Sequence, residues 1–290
     1  MGKTKIEWTD VVWNPVTGCD PVSIGCDNCY SATFAKRFWK GRPFSDIQFH
    51  PERLELPLHW KNPRRIFVDS MGDLFHPKMQ TEWLDKIFWN IGLCPHHKFL
   101  ILTKRILEAQ VYFKSIKYFY SNLWLGVSVE NQQTADERIP ILLSIPTAKR
   151  FVSYEPALGP IDFGELLIDG LDWLICGGET GRNARPCHQN WIRSVRDQCV
   201  EADTPFFFKG WGEWSHEIPN DLYDERSAKV ANLAWRKKWI EKGLMWNAVL
   251  KCWQKPCDAL DGSQEMFKVG KSRSGCLLDG KEWKQFPKER

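Results

Sequence analysis

Cys19, Cys26 and Cys29 fall within eleven positions of one loop, TGCDPVSIGCDNCY (17–30), with the spacing C-x6-C-x2-C. Two cysteines would serve a disulfide and four would close a zinc knot, whereas three make a centre one ligand short. Structural zinc takes four ligands, usually from two C-x2-C pairs, and only Cys26 and Cys29 form such a pair. A fourth ligand from His50, Cys94, His96 or His97 has no spacing that nominates it. Iron–sulfur clusters also draw closely spaced thiolates from a flexible loop. Three protein thiolates on a four-iron cluster leave one iron open to a cofactor or substrate. Gly18, Pro21 and Gly25 provide the turns that a wrapping loop needs. On spacing alone, zinc and iron–sulfur both stand.

The rest of the composition narrows the setting. The chain has 290 residues, 43% hydrophobic and 26% charged, which is globular and large enough for a substantial core. Its longest apolar runs, such as FLIL and DWLICGG, are too short to span a bilayer. The start, MGKTKIEWTD, has no apolar signal segment and lacks the Ser/Thr of a myristoylation site. Ten cysteines beside that start predict free, metal-binding or redox thiols and a cytoplasmic location. Net charge is +4, but residues 226–290 hold 15 Lys/Arg against 7 Asp/Glu, a local +8 that suits a phosphate-bearing partner or a solvated lysine-rich face. Most of the sixteen tryptophans are expected in the core, with a few available to stack on bases.

The elements that must position the cysteine loop follow from periodicity. Apolar runs ending in polar residues recur at 65–73, 98–105, 123–131, 149–156, 172–181 and 205–214, and IEWTDVVWNP near the start offers one more. Between them lie stretches of helical spacing, such as TEWLDKIFWNIGL (81–93) and NWIRSVRDQCVEA (190–202), the latter with Asn190 as expected N-cap. Strands alternating with helices predict an α/β fold with about six parallel strands, either a partial (β/α) barrel or a flat doubly wound sheet. In both, functional groups gather at the C-terminal strand ends. Those ends carry Asp69, Ser70, Asp73, Thr103, Lys104, Arg105, Ser128, Glu130, Asn131, Ser153, Glu155, Glu179 and Lys209. Solubility alone does not require so many short hydroxyls and acids beside cations. A barrel over 1–214 and a basic extension over 215–290 are expected. The extension comprises an amphipathic helix at 226–242 and a hairpin turning at Asp279-Gly280.

A three-cysteine loop after the first strand of a partial β/α barrel resembles the radical S-adenosylmethionine superfamily. The motifs IEWTDVVWNPVTGC, GCDNCY, DSMGDLFH, LTKR, LGVSVEN, SYEPALGPI, CGGETGRNARP, FFKGWGEW and LLDGKEWKQFP resemble, over nearly the whole chain, a phage and bacterial family known as the gene product thirty-seven/sixty-eight type. The superfamily resemblance implies a [4Fe-4S] cluster on Cys19, Cys26 and Cys29, with S-adenosylmethionine on its open iron. It implies an isomerase- or lyase-type radical enzyme served by a reductant such as flavodoxin or ferredoxin. The superfamily's Gly-Gly-Glu-like motif follows the second strand, where this chain has DSMGD. Ser70, Gly72 and Asp73 are therefore expected at the methionyl end, and Ser128, Glu130 and Asn131 at the ribose. Lys104, Glu155 and Glu179 are the candidate catalytic groups, and Arg105, Arg182, Arg185 and Lys209 the candidate substrate contacts. The phage kinship points to DNA or a nucleotide as substrate.

Other motifs compete less well. GGETGRNARP lacks the endings of both common phosphate loops, though it can surround an anion with Glu179, Arg182 and Arg185. Cys187 and His188 are adjacent and so poorly placed as a nucleophile pair, and Cys176, Cys199 and Cys252 read as small buried hydrophobes. The rival function is a non-enzymatic zinc or iron–sulfur protein that binds nucleic acid through its basic C-terminal part, which would not need a lined barrel mouth.

Overall fold

A computed structural model describes residues 4–116, 118–167, 170–216, 244–247, 252–254 and 265–288. Seven parallel strands make the main sheet: β1 (Val11–Trp13), β2 (Arg65–Val68), β3 (Lys98–Thr103), β4 (Leu123–Val129), β5 (Lys149–Tyr154), β6 (Trp173–Gly177) and β7 (Phe206–Gly210). They lie side by side in chain order with no reversal. A doubly wound sheet reverses its strand order at a switch point, so this winding is that of a barrel left open. The sheet is one strand larger than the six expected, because the short segment at Val11–Trp13 pairs in register with β2.

Helices α1 (Tyr30–Phe38), α2 (Thr81–Gly92), α3 (Ile106–Ser115), α4 (Gln132–Leu143) and α5 (Gln189–Glu201) follow strands β1 to β4 and β6. In α2, Leu84, Ile87, Phe88 and Ile91 recur at helical spacing and are buried against the sheet's outer face. Every residue of β4 is buried, as expected of a parallel strand covered on both sides. The cap of α5 differs from expectation. His188, not Asn190, stands at the N-cap, and its ring accepts the Asn190 amide at 3.1 Å. An imidazole nitrogen can replace the usual Asn or Ser oxygen there because burial holds His188 neutral, with its pKa lowered to about 4.

The concave face shows how far the sheet curves. The ring of Trp8, just ahead of β1, lies 4.7 Å from Phe67, 6.4 Å from Phe151 and 6.3 Å from Trp173, so it touches strands β2, β5 and β6 together. These residues, with Leu100, Trp124, Ile175 and Phe207, form an aromatic floor separate from the outer core. Gly126 makes room for it, since a β-carbon there would stand 2.5 Å from the Phe151 ring.

The C-terminal segment seals the free edge of β7. Phe208 N–H donates to Trp283 O at 2.8 Å and Gln285 N–H to Phe206 O at 3.1 Å, an antiparallel pairing that hides an edge otherwise open to association. Phe286 meets Trp173 and Phe207 under the floor, and Lys284 pairs with Glu7 across the gap. The expected hairpin is present, with Leu277–Leu278 against Lys281–Glu282 and positive φ at Asp279 and Gly280. A second sheet joins 214–215, 244–247, 252–254 and 265–268. The basic helix expected at 226–242 lies outside the described residues. Among the described residues no helix is long and apolar enough to cross a membrane.

Candidate cluster loop and barrel mouth

The loop between β1 and α1 folds back over the C-terminal strand ends. It starts with a parallel bridge between Gly18 and Gly72, and Gly18 N–H donates to Met71 O at 2.9 Å. From there it is gripped by side chains from four strand ends.

The first grip is Glu130, after β4. Its carboxylate is fully buried and accepts from Ser23 Oγ at 2.9 Å, and it pairs with Lys104 and, at 3.2 Å, with Arg138 of α4. Burial alone pushes its pKa up, but Lys104 and Arg138 outweigh that and hold it below the usual range. Gly25 rests on this carboxylate so closely that a β-carbon would meet Oε1 at 2.4 Å.

The second grip lies after β6. Glu179 binds Arg185 through Oε1 at 2.6 Å and Oε2 at 2.9 Å, and Oε2 also accepts Asn28 Nδ2 at 3.0 Å. Arg185 reaches on to Ile24 O at 2.8 Å and Asp27 at 3.1 Å. At the ends of β2 and β3, Arg105 donates to Asp20 O at 3.0 Å and His76 contacts the Asp20 carboxylate at 3.2 Å. Ser70 O receives the hydroxyls of Tyr30 and Ser31, each at 2.8 Å.

The structure thus separates the sequence-predicted residues into two groups. Glu130, Glu179, Arg105 and Arg185 hold the cysteine loop. Asp73 also works within the protein, accepting Thr103 Oγ1 at 2.7 Å and the amides of Phe75 and Lys104. Asn131 caps α4 by accepting Thr134 N–H at 3.1 Å. Arg182 is exposed beside the second sheet, where Lys268 donates to its carbonyl. Four predicted residues instead line the mouth. Ser70 donates to Asn14 at 3.2 Å, Ser128 is buried on the concave face, and Glu155 and Lys209 pair at 2.5 Å with each about a quarter exposed.

Ser23, Asp27, Asn28, Tyr30 and Arg138, with Asp20, Ser31 and His76, are contacts that sequence reasoning did not select. Nothing in local spacing marks Ser23, Asp27, Asn28 and Tyr30, whose partners are remote in the chain, and Arg138 meets Glu130 only because β4 and α4 fold back on each other. Asp69 is a different case. It is buried at positive φ, with Oδ1 accepting Val16 N–H at 3.2 Å and Oδ2 without a hydrogen-bond partner, and burial raises its pKa well above the usual range.

The three cysteines are free and half-buried. Burial, with Asp73 adding to it, raises the Cys19 thiol to about 12. It would therefore lose a proton on binding a metal. Among the described residues no three His, Cys, Asp or Glu side chains are grouped to hold one metal ion. A four-iron cube takes each thiolate on a different iron, and three cysteines from one wrapping loop fit that donor demand. Cys176, Cys187 and Cys199 are fully buried behind β6, as small hydrophobes.

Solved structures with a related chain path include spore photoproduct lyase complexed with dinucleoside spore photoproduct, at TM-score 0.46 and 13% identity over 69% of this chain and 63% of that one. A double mutant of that lyase with bound AdoMet and the same dinucleoside gives TM-score 0.45 and 13% identity over the same shares. The chain spans less than two thirds of the length of these structures. No curated protein matches the chain. Over residues 3–287 it matches the family described as a protein of unknown function, DUF5131, and it belongs to that family.

Proposed function

We propose that this protein is a radical S-adenosylmethionine enzyme acting on a nucleic-acid base or nucleotide, of the phage DNA modification or repair kind. The observation that carries the reading is the three-cysteine loop folded across the C-terminal mouth of an open parallel barrel. Such a barrel collects chemistry at that end. Cys19, Cys26 and Cys29 would hold a [4Fe-4S] cluster, and that cluster with S-adenosylmethionine would supply radical chemistry for hydrogen abstraction.

The chain's own residues then do four things. Glu130 and the Glu179–Arg185 pair fix the loop at two points, after β4 and after β6, so the thiols are presented in one arrangement. Ser70 and Ser128 offer hydroxyl groups towards the amino-acid and ribose parts of the cofactor, and Lys104 neutralises Glu130 beside them. Glu155 and Lys209 face the substrate side, where their paired charges orient a polar base. The aromatic floor closes the lumen below them and keeps water from a reactive intermediate. The protein works in a reducing cytoplasm, with a flavodoxin- or ferredoxin-like reductant supplying electrons.

The test is anaerobic purification with iron and sulfide counting, followed by reduction with dithionite in the presence of S-adenosylmethionine. About four irons per chain, lost in Cys26→Ala, and release of 5′-deoxyadenosine are expected. Stoichiometric zinc without iron, or no cleavage by cluster-loaded protein, overturns the reading.

A further inference from the structure

Helix α1 starts directly after Cys29 and carries an exposed aromatic ridge. Its buried side is Ser31 and Ala35. On one shoulder stand Tyr30, Phe34 and Phe38, spaced four residues apart and 57%, 48% and 53% exposed. The Phe34 and Phe38 rings are 4.5 Å apart, and the Arg37 guanidinium sits 5.1 Å from the Phe38 centroid. On the outward side the helix and the turn after it carry Lys36, Arg37 and Lys40, all exposed. Arg42 follows, stacked on Trp39 at 3.9 Å but paired with Asp46 at 3.3 Å, so it is not part of the ridge's free charge. No acidic residue occurs between Asp27 and Asp46.

We propose that this ridge is the track along which a single-stranded nucleic acid enters the barrel mouth. Exposed rings beside unopposed cations are what a strand requires, with bases on the aromatic faces and phosphates on the lysines and arginine. The track has a direction. Tyr30, at its near end, hydrogen-bonds Ser70 O at the mouth, and Phe34 and Phe38 lead away from it. The Phe34 and Phe38 rings pack on each other at 4.5 Å, so no base inserts between them and a base must lie against an exposed ring face. The bases of a single strand can turn their faces onto such rings, whereas a duplex buries its base faces in the stack. The surface rests on the nucleic-acid part of the proposed function and specifies its form, a single strand or the strand flanking a flipped base.

The test measures binding apart from radical chemistry. A fluorescein-labelled 12-nucleotide single-stranded DNA and its duplex are titrated by anisotropy with the full chain, without cofactor, over a range of salt. The expected result is tighter binding of the single strand, weakened at least about tenfold by Phe34→Ala with Phe38→Ala. Lys36→Ala, Arg37→Ala and Lys40→Ala together should lower the slope of log affinity against log salt by about two. All five side chains are exposed, so unchanged melting temperatures should accompany these losses. Equal affinity for the duplex, or unaltered binding in both variants, overturns the proposal. So does a loss confined to Arg236→Ala, Lys237→Ala and Lys238→Ala, which would place the strand on the C-terminal extension. If strand binding behaves as expected but no deoxyadenosine is released, the radical reading fails and the track stands.

Discussion

At the residue scale, the tightest constraint on the site is Glu130, a fully buried carboxylate between Lys104 and Arg138 that also takes the Ser23 hydroxyl. Glu130→Gln should cost about 3 kcal/mol, because it leaves two partly buried cations facing each other without a counter-charge. Differential scanning calorimetry should record the loss as a lower melting temperature. Its pH dependence has a definite sign. Because the folded pKa is depressed, Glu130 contributes its full stability above the ordinary glutamate range and loses it as pH falls through the folded value. The variant should lack that acid-side loss; an identical acid-side slope in variant and parent would refute the argument. Asp69 has the opposite sign. Its folded pKa is raised by burial, so its contribution is full at low pH and is lost as pH rises through the ordinary aspartate range and above it. Asp69→Asn removes the charge, keeps an oxygen for Val16 N–H, and tolerates positive φ. It should raise the melting temperature at neutral pH, and a decrease there would show that the ionised carboxylate has a favourable partner.

At the element scale, β4 and β5 illustrate how a strand's residues serve two faces. Gly126 pairs with Phe151 in register, and the missing side chain lets the Phe151 ring lie across the strand into the aromatic floor. Gly126→Ala should destabilise by about 1–3 kcal/mol through overpacking. Adding Phe151→Leu should recover part of that loss, a coupling that a double-mutant cycle measures directly. Additive effects would mean that the ring is not what the new methyl meets. The cysteine loop has its own version of this contact at Gly25. Gly25→Ala pushes the loop off Glu130, so lower iron content per chain with nearly unchanged melting temperature is expected.

At the scale of the whole molecule, the winding of seven strands in chain order, the floor that closes one end and the loop that covers the other define a single mouth. The C-terminal segment completes the closed end. Phe286→Ala should cost about 2 kcal/mol, since the half-buried ring bridges Trp173 and Phe207. Lower stability with unchanged iron content would show that this end serves the fold alone. Much of this architecture is legible in the sequence, because the βα rhythm, the apolar strand cores and the Asp279-Gly280 turn are local patterns with a period or a fixed spacing. The cysteine trio is legible for the same reason. The strand order, which excludes a doubly wound sheet, is not local, and periodicity carries no information about it. Nor is the division of the polar strand ends between loop holders and mouth lining. Ser23 meets Glu130 across 107 positions and Arg185 meets Asp27 across 158. Strand-end position marked Glu130, Glu179 and Arg105, and the GGETGRNARP motif marked Arg185, as polar groups near the barrel's C-terminal end, and the sequence by itself carried no more than that. Only the tertiary structure decided what they touch, because a carboxylate's partner depends on which distant loop packs over it.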